Sequence, residues 1–91
     1  ADFSKAIELN PDYTMAYNNR GIIKGSMQDF EGALEDFNKA IELEPDYADA
    51  IYNRGNARYY LKMFNEACSD WSRAAYLGSE QAAAIREKYC K

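Results

Sequence analysis

Pro11–Gly21 reads PDYTMAYNNRG and Pro45–Gly55 reads PDYADAIYNRG, nearly the same phrase displaced by 34 residues. A fixed period between about 20 and 50 residues marks a repeat architecture, in which each unit is one supersecondary motif that stacks on the next. The same shift lays DFSKAIELNPDY (Asp2–Tyr13) on DFNKAIELEPDY (Asp36–Tyr47), with differences only at Ser4/Asn38 and Asn10/Glu44. It also carries Ala16, Asn19, Arg20, Gly21, Phe30 and Ala33 onto Ala50, Asn53, Arg54, Gly55, Phe64 and Ala67. Two full units therefore run over 14–47 and 48–81, within a single domain of 1–91. Residues 1–13 form a half repeat containing only a second helix, and 82–91 form a C-terminal capping helix.

Each unit divides into two helical patterns. Pro11 and Pro45 end one helix, and Asp12 and Asp46 are the expected N-caps of the next. Ala16, Arg20, Ile23 and Met27 mark one face of the first helix, and GSMQD supplies the turn that follows. Phe30, Ala33, Leu34, Phe37, Ala40 and Ile41 then recur at three and four spacing, a stripe that neighbouring helices must cover. Its counterpart is Phe64, Ala67, Cys68, Trp71, Ala74 and Ala75. Gly21 and Gly55 fit close helix crossings, because a helical glycine costs about 1 kcal/mol relative to alanine and its recurrence asks for a packing reason. Arg20 and Arg54 are read as covering apolar surface with their stems while their guanidinium groups pair with Asp36 and Asp70.

Composition agrees with an all-α fold: valine is absent, and proline occurs only at Pro11 and Pro45. The net charge of −4, with Lys and Arg interspersed among Asp and Glu, argues against a nucleic-acid partner. No apolar run approaches the roughly 20 residues that span a bilayer, so no membrane role is expected. The first residue is Ala, and ADFSKAIELN reads as the middle of a helix, which predicts a piece of a longer protein. Cys68 and Cys90 could form one bridge at most; buried free thiols are the expectation, and neither residue fixes the compartment. With no histidine, no nucleophile–base pair and no phosphate loop, the chain is expected to have no catalytic residues, no metal site and no cofactor.

The period of 34, the small residue in the first helix, the aromatic opening the second and the proline closing the unit resemble the tetratricopeptide repeat (TPR) family. The resemblance is carried by AYNNRG…DFEGALEDFNKAIELEP and AIYNRGNARY…MFNEACSDWSRAAYLG, and it covers essentially the whole chain. Tyr17 and then Ile51 stand where the family usually has Trp or Tyr, and Arg20 and Arg54 stand where Leu is common. The resemblance implies a right-handed α-α superhelix, or solenoid, whose first helices line a concave face that binds peptide segments of partner proteins. At the C-terminal end, Gly78 and Ser79 replace Glu and Pro at the join, and Glu80, Arg86, Glu87 and Lys91 supply the polar outer face that a terminal helix needs.

On that reading the concave stripes are Met15, Asn19, Ile22 and Ser26 on one first helix and Asp49, Asn53, Asn56 and Tyr60 on the next, flanked by Asn18, Tyr52 and Tyr59. Asparagine amides can pair with a peptide backbone, and tyrosine offers apolar area with a polar tip. Two other readings stand beside it. Asn19 and Asn53 could instead satisfy polar groups of neighbouring helices, and the tyrosines could be inter-repeat packing. One subgroup of the family grips a C-terminal carboxylate with Lys, Asn and Arg from three successive first helices. Asn53 matches the middle position, but Asn18, Ile22, Ala83 and Glu87 stand at the others, so no such clamp is expected. A structural spacer or self-association module is the competing function, motivated by Phe3, Ala6 and Ile7, which lack their own first helix.

Overall fold

The computed structural model describes residues 13–90, and all of the regular structure in them is helical. Five helices follow one another: α1 (Tyr13–Ser26), α2 (Phe30–Leu43), α3 (Ala48–Tyr60), α4 (Phe64–Tyr76) and α5 (Glu80–Tyr89). Each packs mainly on its sequence neighbours, and α1 also reaches α3, the one next-but-one contact of any extent. The result is an all-α helical repeat solenoid with extents of 42 × 25 × 17 Å. Phe3, Ala6, Ile7 and Asp12, on which the self-association reading and one of the expected caps rest, lie outside the described residues.

The second helices carry the core at one phase. Ala33, Asp36, Phe37 and Ala40 are the buried residues of α2, and Ala67, Asp70, Trp71 and Ala74 are those of α4. The rings of Phe37 and Trp71 reach across to the first helix of their own unit. A Cβ on Gly21 would lie 2.6 Å from the Phe37 ring, and one on Gly55 would lie 2.6 Å from the Trp71 indole nitrogen. These crossings require glycine because the aromatic ring occupies the place of the side chain. Ile51 and Trp71 are the largest fully buried side chains. Ile23 and Met27, assigned to the packed face of α1, are instead exposed at 42% and 67%, because the ion pairs of Arg20 and Lys24 with Asp36 turn that side of α1 towards α2 and leave the edge with Ile23 and Met27 outside.

Ion pairs repeat with the period. Arg20 donates through Nε and Nη2 to the two Asp36 oxygens at 2.9 and 2.8 Å, and Arg54 does the same to Asp70 at 3.0 and 2.8 Å. Lys24 and Arg58, also one period apart, complete each site at 3.3 and 3.0 Å. The Asp36 hydrogen bond raises the Arg20 pKa above its ordinary value, against the opposing effect of burial. These bidentate pairs give a buried carboxylate the partners it needs, as the sequence predicted.

Two further expectations are corrected. Asp46 does not cap α3: Tyr47 holds the N-cap position without a side-chain bond, and Asp46 turns outward to accept from Arg73 at 3.0 Å. Cys68 and Cys90 are not free thiols but form a disulfide. Their separation of 22 in sequence hides the fact that antiparallel α4 and α5 bring their Cα atoms to 5.8 Å, inside the bridging range. At the same join Ser79 caps α5, accepting from the Ala82 N–H at 3.1 Å, while Gly78 takes φ +107°. The replacement of Glu-Pro by Gly-Ser is thus a C-terminal stop followed directly by a helix start.

Candidate functional site

The alternation of first and second helices sets α1 against α3, and α5 meets α3 through side chains such as Tyr89 on Tyr59, so the side chains they turn away from α2 and α4 share one face. Residues of α1 and α3 enclose an open groove of about 370 Å³. Met15, Asn18, Asn19 and Ile22 form one wall, Asp49, Tyr52 and Asn53 the other, and Tyr47 and Gln81 also border it. A second hollow of about 260 Å³ lies towards α5, where Tyr52, Asn56, Tyr59 and Tyr60 meet Trp71, Ile85 and Tyr89. Between α1, α2 and α3 lies a third, of about 180 Å³, with Gly25, Ala33 and Phe37 in its lining and Ile22 and Tyr60 beside them. Ile22 and Asn53 border both this pocket and the groove, so the two are neighbours that share a wall.

The candidate residues differ in what they have left to offer. Met15, Ile22 and Tyr60 are exposed at 51%, 46% and 63%, so their apolar area is open to a ligand rather than used in the core. Asn18, expected to flank an open stripe, is buried at 4%, and its side-chain oxygen accepts from Asn53 Nδ2 at 3.1 Å. The two amides tie α1 to α3, because a buried amide must be paired and only the neighbouring first helix reaches it. Asn56 Oδ1 accepts from Trp71 Nε1 at 3.2 Å. The reading in which asparagines satisfy neighbouring helices therefore describes half of the Asn53 amide and half of the Asn56 amide. Their other halves are not used by any hydrogen bond among the described residues.

The tyrosines also divide. Tyr59 lies at the centre of an aromatic cluster, 5.3 Å from Phe64, 5.8 Å from Trp71 and 5.2 Å from Tyr89 between ring centroids, and this is packing. Tyr60 stacks on Phe30 at 4.7 Å with an interplanar angle of 10° and remains largely open to solvent. Ser26 is exposed and donates to the Ile23 carbonyl at 2.7 Å, outside the three hollows. Gln81 and Gly25 are not among the residues the sequence marks as candidate site residues, and Phe30 is marked there only as packing. Gln81 stands at the phase of Tyr47 and Gly25 at the phase of Tyr59, one period away. Among the described residues no cluster of His, Cys, Asp and Glu is arranged to hold a metal ion, and no helix is long and apolar enough to cross a membrane.

A family model described as TPR repeat matches residues 23–62. Among solved structures, the chain is similar to the first TPR of Spaghetti (RPAP3) bound to the HSP90 peptide SRMEEVD, with a TM-score of 0.88 and 27% identity over 96% of this chain and 71% of that one. It is also similar to YrrB, described as a TPR protein with an unusual peptide-binding site, with a TM-score of 0.82 and 34% identity over 88% of this chain. The match spans 41% of the YrrB chain. No curated protein matches the chain.

Proposed function

The chain belongs to the tetratricopeptide-repeat family, a family of protein–protein interaction modules, and on that basis we propose that its own role is to bind a peptide segment of a partner protein in the groove of α1 and α3, with no chemistry of its own. The observation that carries this reading is the adjacency of the groove and the apolar pocket, which share Ile22 and Asn53 and are bordered by exposed Met15, Ile22 and Tyr60 and by amide groups with unused hydrogen-bonding capacity. An extended segment needs these two things: apolar area for alternate side chains, and donors and acceptors for its backbone.

The ligand of the Spaghetti domain does not carry over residue by residue. Asn18 is committed to Asn53, Ile22 is apolar, and Ala83 and Glu87 bring no cation where a carboxylate-gripping site would need one. The proposed partner is therefore an internal segment, bound without a terminal carboxylate.

Binders selected from a random peptide library provide the test. Ile22→Glu is expected to weaken them at least about tenfold, since it places a charge where apolar area is buried. Lys39→Ala, on the exposed face of α2, should bind as the parent does, and both variants should keep the parent's helical circular dichroism. Equal binding by Ile22→Glu and Lys39→Ala would remove the groove from consideration.

A further inference from the structure

The pocket between α1, α2 and α3 holds about 180 Å³, below the roughly 300–1,000 Å³ of small-molecule sites and suited to one side chain. Its depth depends on Gly25, a glycine that packing does not require. A Cβ there would meet only the Ala33 methyl at 4.0 Å, an ordinary contact, whereas one on Gly21 would collide with Phe37 at 2.6 Å. Alanine would also make the better helix at this position. One period later stands Tyr59, whose ring packs against Phe64 and Trp71, so the second unit fills with its own side chain the space that the first leaves open.

Charge adds a second constraint. Asp49 is exposed on the groove wall, and among the described residues it forms no ion pair and is the only charged group lining the groove, in a chain of net charge −4. It lies two helical turns from Ala57, which lines the pocket, a distance of about 12 Å along α3. An extended peptide covers that distance in about three to four residues. Asn56 also lines the pocket; its side-chain oxygen accepts from Trp71, and its NH₂ makes no hydrogen bond among the described residues.

We propose that the partner segment places an aliphatic side chain in the Gly25 pocket and, about three to four residues away, a lysine or arginine over Asp49. This rests on the groove being the binding face and states which segments it selects. The ligand class is then apolar and basic, the opposite in charge of an acidic tail.

Short Ser- and Thr-rich fluorescent peptides carrying one Leu and one Lys at these spacings, in both orders, test the proposal by anisotropy. Replacing the peptide's Leu by Ser, or introducing Gly25→Leu in the protein, should each weaken binding about tenfold or more. Gly25→Ala should weaken it less while raising the melting temperature, which separates ligand exclusion from misfolding. Asp49→Lys should reverse the preference, so that a Leu/Glu peptide binds better than a Leu/Lys peptide. If Gly25→Leu and Gly25→Ala bind like the parent while Ile22→Glu does not, the pocket assignment is overturned and the groove reading survives. If no peptide of the set binds the parent but library-selected binders do, the selectivity is overturned; if neither binds, both readings fall.

Discussion

Glycine has three different meanings in this chain, and each depends on what a single added carbon would touch. At Gly55 a Cβ would stand 2.6 Å from the Trp71 indole nitrogen and 3.2 Å from the Ala67 carbonyl oxygen. The indole cannot withdraw freely, because its N–H donates to Asn56, and the carbonyl belongs to the α4 backbone. Overpacking of this kind costs about 1–3 kcal/mol, against a helix-propensity gain of about 1 kcal/mol for alanine. Gly55→Ala is therefore expected to lower stability by up to about 2 kcal/mol in urea denaturation, and a raised midpoint would contradict the crossing geometry. Gly25→Ala has the opposite sign, since only the propensity gain applies there. Gly78 is needed for neither reason: its φ of +107° is a conformation that side chains rarely adopt.

At the scale of the helix, the two units differ at the start of their second helices. Asp29, with φ −87° and ψ 72°, accepts from the Gly32 N–H at 3.0 Å and caps α2. Met63 holds the same position before α4 with nearly the same backbone, φ −90° and ψ 68°, and makes no side-chain cap bond. Met63→Asp transplants a cap into matching geometry, so thermal denaturation should show a gain of about 0.5–1.5 kcal/mol. A loss would mean that the partly buried methionine contributes more through packing than a cap returns. The helices and their crossings were legible in the sequence because period, glycine and aromatic recur together: Gly21 with Phe37, Gly55 with Trp71, and the arginines with Asp36 and Asp70. What was not legible depends on how turns orient side chains and how helices meet. The chain rotates Asp46 away from α3 towards Arg73, the α1–α3 crossing buries Asn18, and the α4–α5 hairpin joins Cys68 to Cys90. In the candidate site, Met15, Ile22 and Asp49 could be placed by helical spacing, whereas the Gly25 pocket emerges only once α2 and α3 close around it.

In the molecule as a whole, contacts run from neighbour to neighbour, so the last helix depends on what holds it to α4. Helix α5 has ten residues, too few to persist alone in water, and buries only Ala82 completely. It nevertheless covers the core cluster of Ile51 and Trp71 through Ala82 and Ile85, and Tyr89 lies 6.3 Å from Trp71 between ring centroids. The Cys68–Cys90 bond fastens its far end across a sequence separation of 22, and in the chain-entropy model a loop of that length is worth about 3 kcal/mol. That is a large fraction of the roughly 5–15 kcal/mol that stabilises a small domain. Reduction should consequently lower the melting temperature, and the loss should begin at α5, since the other helices pack on one another without it. The single tryptophan, Trp71, reports this directly. With a reducing agent present, its fluorescence should shift to longer wavelength at lower temperatures than the far-ultraviolet circular dichroism transition; under oxidising conditions the two should coincide. Coincident transitions in the reduced protein would show that α5 is held by its apolar contacts and that the disulfide adds stability to all the helices together.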